Sequence, residues 1–298
     1  MGLKLSRKIR SLRNKILKFL NHFNPKFYKL LILIGSIFKF YLKINQKKKN
    51  IKFSKNLDEI NIYEFKKTSQ NNEDGLIEHI FKKLNVENLN FVEIGFDYYE
   101  NNSLNLLRRS NNGLFIDGSE EKTYILDNLL KIFFPKKNIK VLNFIVTKDN
   151  INSIISNNLN LGYDKIDFMS IDVDGNDYYL FESLNYRPKV LCIEYNFWYG
   201  EEVHCSIPYN KDFSWEKGSV YFGSSLLALF NLALKKDYHL VATDSACVNA
   251  FFVRGDLKKD FKILDPKINF KVPLRYSKDE INSAKKYLLS QNLKYFKE

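Results

Sequence analysis

The first fifty residues contain no aspartate and no glutamate, against fourteen lysines and arginines. The other 248 residues are nearly neutral, with 33 basic and 34 acidic side chains, so the net charge of +13 belongs to an N-terminal arm. A basic nucleic-acid-binding body is thereby excluded. Cysteine is scarce. Cys192, Cys205 and Cys247 are odd in number and far apart, which gives neither a disulfide framework nor zinc spacing. A reducing cytoplasm is the compartment expected from that usage. His22, His79, His204 and His239 form no cluster with metal-ligand spacing. A membrane span needs about 20 apolar residues, and "KLLILIGSIFK" has only nine uncharged residues between Lys29 and Lys39. No Gly-x-x-x-x-Gly-Lys-Ser/Thr loop is present for a nucleoside triphosphate, and no Gly-x-Gly-x-x-Gly for a dinucleotide. The Gly-x-Ser-x-Gly elbow of a hydrolase is missing too.

What the arm does contain is patterned. "LSRKIRSLRNKILKFL" puts Leu5, Ile9, Leu12, Ile16 and Leu20 near one helical face, with arginine and lysine on the others. A basic amphipathic helix followed by a short apolar one suits a peripheral protein on an anionic membrane face. The competing expectation is a helix packed on its own domain or on a dimer partner. "MGLKLS" also fits the N-myristoylation pattern. The chain divides into an arm (1–50), a polar linker (51–67), a main domain (68–256) and a C-terminal extension ending in a helix (257–298).

From about residue 74 helical and strand periods alternate. Helical patterns cover 74–84, 102–109, 120–134, 149–159, 177–184 and 224–236, with Asp149 or Thr147 placed to cap the fourth. Apolar strand patterns cover 90–95, 113–118, 138–146, 166–175 and 189–196, and residues 238–254 read as two strands joined by a tight turn. Strands that alternate with helices predict a parallel sheet covered on both faces. In such sheets ligands bind at the carboxyl ends of the strands, beside the switch in strand order.

Those ends are polar. "VEIGFDYYENNS" supplies Glu93, Gly95, Asp97 and Asn102, and Gly95 lets backbone approach a ligand. Asp117 follows about twenty residues later, a spacing that suits a carboxylate accepting two ribose hydroxyls; capping the next helix is its alternative. Phe144 and Ile145, in "NFIVT", are placed to wall an adenine. "DFMSIDVDGNDYYLF" sets Asp172, Asp174 and Asp177 within six residues at the end of a buried strand. Three carboxylates there repel one another and are costly to desolvate. A bound divalent cation would relieve the repulsion, and oxygen ligation suits Mg²⁺. Asp177 is read as a helix cap, His204 as an incidental histidine, and "NFWYG" and "FSWEKGSVYFG" as sugar-stacking or lid aromatics.

Five parallel β/α units closed by an antiparallel hairpin resemble class I S-adenosylmethionine-dependent methyltransferases: a Rossmann-like, mostly parallel seven-stranded sheet. Within that class the chain resembles the FkbM-type family, through "SQNNEDGLIEHIF", "FVEIGFDYYENNS", "GLFIDGSEE", "IDFMSIDVDGNDYYLFESL", "PKVLCIEYN", "IPYN" and "YFGSSLLALFNLALKKDYHLVATDSACVNAFFVR". The resemblance covers about residues 68 to 256. It implies an O-methyltransferase acting on a glycan, glycolipid or nucleotide-sugar hydroxyl. Glu93, Gly95, Asp117 and Asp172 would line the S-adenosylmethionine site. Asp174, Asn176, Glu194 and Asn196 would face the acceptor. Tyr98 and Tyr99 stand in a loop usually rich in glycine and are expected to crowd it, which favours the alternative of a non-catalytic binding or scaffold protein. Cys247 stands where that branch usually has glycine.

Overall fold

Alternate residues of a strand face opposite sides of its sheet, and here both sides are apolar. Val92 and Ile94 point one way with Leu114, Ile116, Met169 and Ile171, while Phe91 points the other way with Phe115, Phe168 and Val190. A sheet built from such strands must be covered on both faces. The computed structural model describes residues 24–50, 58–162 and 164–297, and shows this arrangement. The amphipathic face of residues 5–20 and the myristoylation pattern lie outside the described residues.

The helices are α1 (Pro25–Asn45), α2 (Glu73–Lys83), α3 (Glu120–Phe133), α4 (Ile151–Asn158), α5 (Asp177–Ser183), α6 (Leu226–Lys235) and α7 (Lys278–Leu289). The main strands are β1 (Leu89–Ile94), β2 (Ser110–Asp117), β3 (Asn138–Asn143), β4 (Phe168–Ile171), β5 (Val190–Glu194), β6 (Tyr238–Thr243) and β7 (Asn249–Arg254). They form one sheet in the order β3-β2-β1-β4-β5-β7-β6. Only β7 runs antiparallel to its neighbours. The expected seven-stranded fold with its closing hairpin is therefore present. The chain winds outward from β1 to β3, then crosses back to β4, so the switch in order falls between β1 and β4. In register, Ile94 pairs with both Ile116 and Ile171, and Ile171 pairs with Ile193. The next residues, Gly95, Asp117, Asp172 and Glu194, consequently emerge level at one edge.

Several local expectations are corrected. Residues 102–109 do not start an α-helix; they make a single 3₁₀ turn, Leu104–Arg108, which buries Leu104, Leu106 and Leu107. Asn101 fixes that turn by accepting from the Ser103 and Leu104 amides. Neither Thr147 nor Asp149 occupies the cap position of α4. Asn150 does, and its side chain accepts from the Thr147 amide. The C-terminal extension does not end in its helix. After α7 the chain adds Lys294–Tyr295 to Cys205–Ser206 and stacks Phe296 on Tyr178 at 4.3 Å. Of the two expectations for the arm, packing on its own domain holds for α1: Phe40 is fully buried and its ring meets Phe133 of α3 at 5.3 Å.

The segment entering α2 is held by one carboxylate. Asp74, 1 % exposed, accepts from the amides of Lys67, Thr68 and Ser69 and from both the Thr68 and Ser69 hydroxyls. Five donors lose their partner if that carboxylate is removed, and unsatisfied buried donors are costly. Asp74→Ala should therefore lower the unfolding free energy by ~3–4 kcal/mol in urea titration. A loss below about 1 kcal/mol would contradict this reading.

Candidate active site

Gly95, directly after β1, has φ +77°, and a β-carbon there would collide with the backbone carbonyl oxygen of Asp172. Glycine is what lets the β1 and β4 ends come this close. Two cavities open on either side of the contact. One, about 280 Å³, is lined by Glu73, Glu93, Asp97, Glu100, Asn102 and Asn249 among others. The second, about 310 Å³, is lined by Asp117, Gly118, Phe144, Ile145, Phe213 and Trp215 among others. Gly95, Phe96, Lys122, Asp172 and Asp174 line both, so the two spaces meet at the strand switch. Together they have the size of a small-molecule site.

The first cavity is rich in acceptors that lack donors. Glu93 is 2 % exposed; its Oε1 accepts from the Asn102 amide at 2.8 Å, and its Oε2 has no partner among the described residues. Burial pushes the Glu93 carboxyl up to about 7. Asn249, on β7, donates to Glu73 at 3.0 Å and leaves its own Oδ1 without a partner among the described residues. The Asn102 amide group donates to the Ser170 hydroxyl, and Asp97 accepts from the Tyr99 amide. A space lined by carboxylates and orphaned acceptors fits an ammonium or another cation.

The second cavity has a different character. Asp117 is not the cap of α3: Ser119 is, accepting from the Lys122 amide. Asp117 instead accepts from the amides of Phe96 and Ser119 and meets the Lys122 ammonium at 3.3 Å. Phe144 and Ile145 are 51 % and 69 % exposed and present an apolar wall beside Gly118. A carboxylate facing an apolar wall suits a nucleoside, with the acid toward ribose and the wall toward the base.

An acid cluster runs from the meeting point of the cavities, at Asp172 and Asp174, to Glu194, which lines neither cavity. Asp172, Asp174 and Glu194 each offer a carboxylate oxygen, and these atoms lie within 4.8 Å of one another. Burial raises all three carboxyls above the ordinary range; for Asp172 and Glu194 the neighbouring acids add to it, and for Asp174 the Lys122 ammonium opposes it. Glu194 Oε2 has no hydrogen-bond partner among the described residues. Asp174 is exposed and sits at φ +59°, a left-handed conformation that aspartate tolerates better than most residues.

Other expectations need correction. Asp177 does not cap α5. Fully buried, it accepts from the amides of Val173 and Gly175 and so closes the turn that presents Asp174. Asn176 and Asn196 are both expected to face the acceptor; Asn176 lines the second cavity, whereas Asn196 lines neither. Asn176 donates to the Asn210 carbonyl. Asn196, 1 % exposed, donates to the carbonyls of Val220 and Phe222 and accepts from the Trp198 amide. Both N–H groups of the Asn196 side-chain amide are taken, which makes it a positioning residue; Asn176 spends one N–H on the loop and still faces the second cavity. Tyr98 and Tyr99 do not crowd the cavities. They turn away toward α1, where the Tyr99 hydroxyl donates to Ser36 and Lys39 lies over its ring. "NFWYG" is core, with Phe197 and Trp198 packed on Tyr276. Only the second aromatic stretch reaches the site, through Phe213 and Trp215. His204 lies beside Asn231 and Phe296 and lines neither cavity. Cys247 is held at φ +60°, where glycine would be unstrained; all three cysteines are buried and free.

Sequence reasoning missed Glu73, Lys122 and Asn249. Glu73 and Asn249 stand within the stretches "SQNNEDGLIEHIF" and "NAFFVR", so a signal existed. Lys122 gave none, because its reach depends on how α3 leaves β2.

The sequence matches no protein-family model and no curated protein. Among solved structures, the chain is similar to an S-adenosylmethionine-dependent methyltransferase from Clostridium acetobutylicum (14 % identity, 61 % of this chain and 90 % of that one, TM-score 0.39). It is similar to magnesium protoporphyrin IX methyltransferase from Synechocystis with bound S-adenosylmethionine (11 %, 61 % and 77 %, TM-score 0.40). A third similar structure is the N-terminal domain of EvdMO1 with S-adenosylhomocysteine bound (9 %, 74 % and 93 %, TM-score 0.41).

The raised carboxyls set a pH dependence. Glu93 and Asp177 both titrate at about 7 in the folded protein, against roughly 4 in an unfolded chain. The folded state thus prefers their protonated forms. Their contribution to stability is complete below about pH 4 and is lost as pH rises through 7. The ligand-free melting temperature should fall by on the order of 5 °C between pH 5.5 and 8. Glu93→Gln, which keeps the acceptor for Asn102, should flatten part of that slope. A melting temperature that rises over this interval would contradict the assignment.

Proposed function

We propose that the protein is an S-adenosylmethionine-dependent O-methyltransferase. The observation that carries this reading is the meeting of the two cavities at Gly95 and Asp172, at the switch point of the sheet. One side suits an amino-acid cation and the other a nucleoside. Glu93 and Asn249 would receive the ammonium, Asp117 the ribose hydroxyls, and Phe144 and Ile145 the adenine. When bound there, S-adenosylmethionine supplies a methyl group on a cationic sulfur, open to attack by an oxygen nucleophile.

The chain's own part is mostly orientation, which can account for much of the rate of such a transfer. Asp177 and Gly175 shape the turn, and Asn176 ties it to Asn210, so that Asp174 projects where both cavities open. Although exposed, the Asp174 carboxylate is partly desolvated by its surroundings and so is more basic than a free aspartate, which suits it to take the acceptor's hydroxyl proton. Asp172, Asp174 and Glu194 also fit a divalent cation, because three carboxylate oxygens within reach of one centre suit Mg²⁺. A cation held there would lower the acceptor hydroxyl's pKa. As acceptor we infer a glycan, glycolipid or nucleotide-sugar precursor in surface polysaccharide synthesis at the cytoplasmic membrane face. Support comes from the FkbM-type resemblance and from Phe213 and Trp215 at the cavity mouth. The scaffold alternative loses its main support, since Tyr98 and Tyr99 leave the cavities open.

Two substitutions test the reading. Asp117→Ala should weaken S-adenosylmethionine binding by ~1.5–3 kcal/mol in calorimetry. Asp174→Asn keeps a residue that accepts the left-handed backbone. It should leave cofactor affinity nearly intact while methyl transfer to glycan acceptors falls roughly 10²–10⁴-fold. If Asp174 acts as base, activity is indifferent to chelators; if the three acids hold a cation, chelation abolishes it. Failure of the unaltered chain to bind S-adenosylmethionine would end the proposal.

A further inference from the structure

We propose that the outward face of α1 is a docking surface for an anionic lipid bilayer, on which the helix lies in the plane of the membrane. This inference does not rest on the methyl-transfer reading. The inward face of α1 is built for the body: Ser36 and Phe40 are buried, and Ser36 receives the Tyr99 hydroxyl. The opposite face is not polar, as a solvated helix face would be. Phe27, Leu30, Leu31, Ile34, Phe38 and Leu42 are between 37 and 65 % exposed. Spaced by three, four and seven residues, they fall within a sector of about 120°. An apolar stripe of this size on a 21-residue helix marks a contact surface.

Charge decides between occupants. Lys26 and Lys39 lie at the two borders of the stripe, about 100–120° from its centre. Residues 1–23 add seven further lysines and arginines and no acid. A second copy of the chain, docked face to face, would set two such basic arms against each other, which like-charge repulsion opposes. An anionic bilayer meets both properties, with acyl chains for the stripe and headgroups for the lysines. No helix among the described residues is long and apolar enough to cross a membrane, so the geometry is a helix lying on the surface. The same helix touches the rim of the site: Lys43 holds Glu100, which lines the first cavity, at 2.7 Å.

The test uses the full chain and vesicles of phosphatidylcholine, alone or with about a third phosphatidylglycerol. Cosedimentation should occur with the anionic vesicles and not with the neutral ones. Ile34→Asp with Phe38→Asp should cut the partition at least ~10-fold while the melting temperature stays unchanged; Leu30→Asp with Leu42→Asp should do the same. Binding by both double variants equal to that of the unaltered chain would overturn the proposal. So would an unaltered chain that is a dimer which these variants split, or loss of the cooperative melt in both pairs, since the stripe would then be covered by protein.

Discussion

Like-charge repulsion at the carboxyl ends of the parallel strands is the constraint around which this structure is arranged. Asp172, Asp174 and Glu194 bring carboxylate oxygens within 4.8 Å of one another. Glu93 and Asp177 are buried close by, and all five carboxyls are raised by desolvation. Such groups weaken a fold unless something cationic is present for part of its working cycle. Lys122 supplies one positive charge, at 3.3 Å from Asp117. It cannot satisfy the whole edge, and the orphaned oxygens of Glu93 and Glu194 show where charge is still lacking.

The remaining polar side chains hold that edge in place. Asp177 closes the turn after β4, Asp74 gathers three successive amides before α2, and Asn176 and Asn196 staple the 210 and 220–222 loops. Each sits where a sequence reader looks for chemistry. Their work is to satisfy backbone groups that the loops could not otherwise bury. The acids divide accordingly: Asp74 and Asp177, which hold backbone amides and line neither cavity, are structural, and those that line the cavities or face other acids are candidates for ligand contact.

The sheet was legible because its signal is the long apolar strand, repeated five times and then paired in a hairpin. Strand ends were legible as well, since Glu93, Asp117, Asp172 and Glu194 each follow or close an apolar run. What escaped was governed by contacts distant in sequence. Residues 102–109 carry helical spacing, yet Asn101 draws in the Ser103 and Leu104 amides, and a short 3₁₀ turn buries the same leucines. Asn196 resembled an acceptor ligand because its partners, at Val220 and Phe222, are 24 or more residues away. Lys122 reaches the site only through the direction of α3. Tyr98 and Tyr99 suggested a blocked loop until α1 gave them a face to pack on.

A cation entering the site should favour ionised carboxylates and so expel protons. Calorimetric titration of S-adenosylmethionine near pH 6.5, in two buffers of different ionisation enthalpy, reads that exchange directly. Binding with net proton release is the predicted result, with fewer protons released by S-adenosylhomocysteine, which lacks the sulfonium charge. Absence of binding, or binding with no proton release, would contradict the account that these acids are kept together for a cationic ligand.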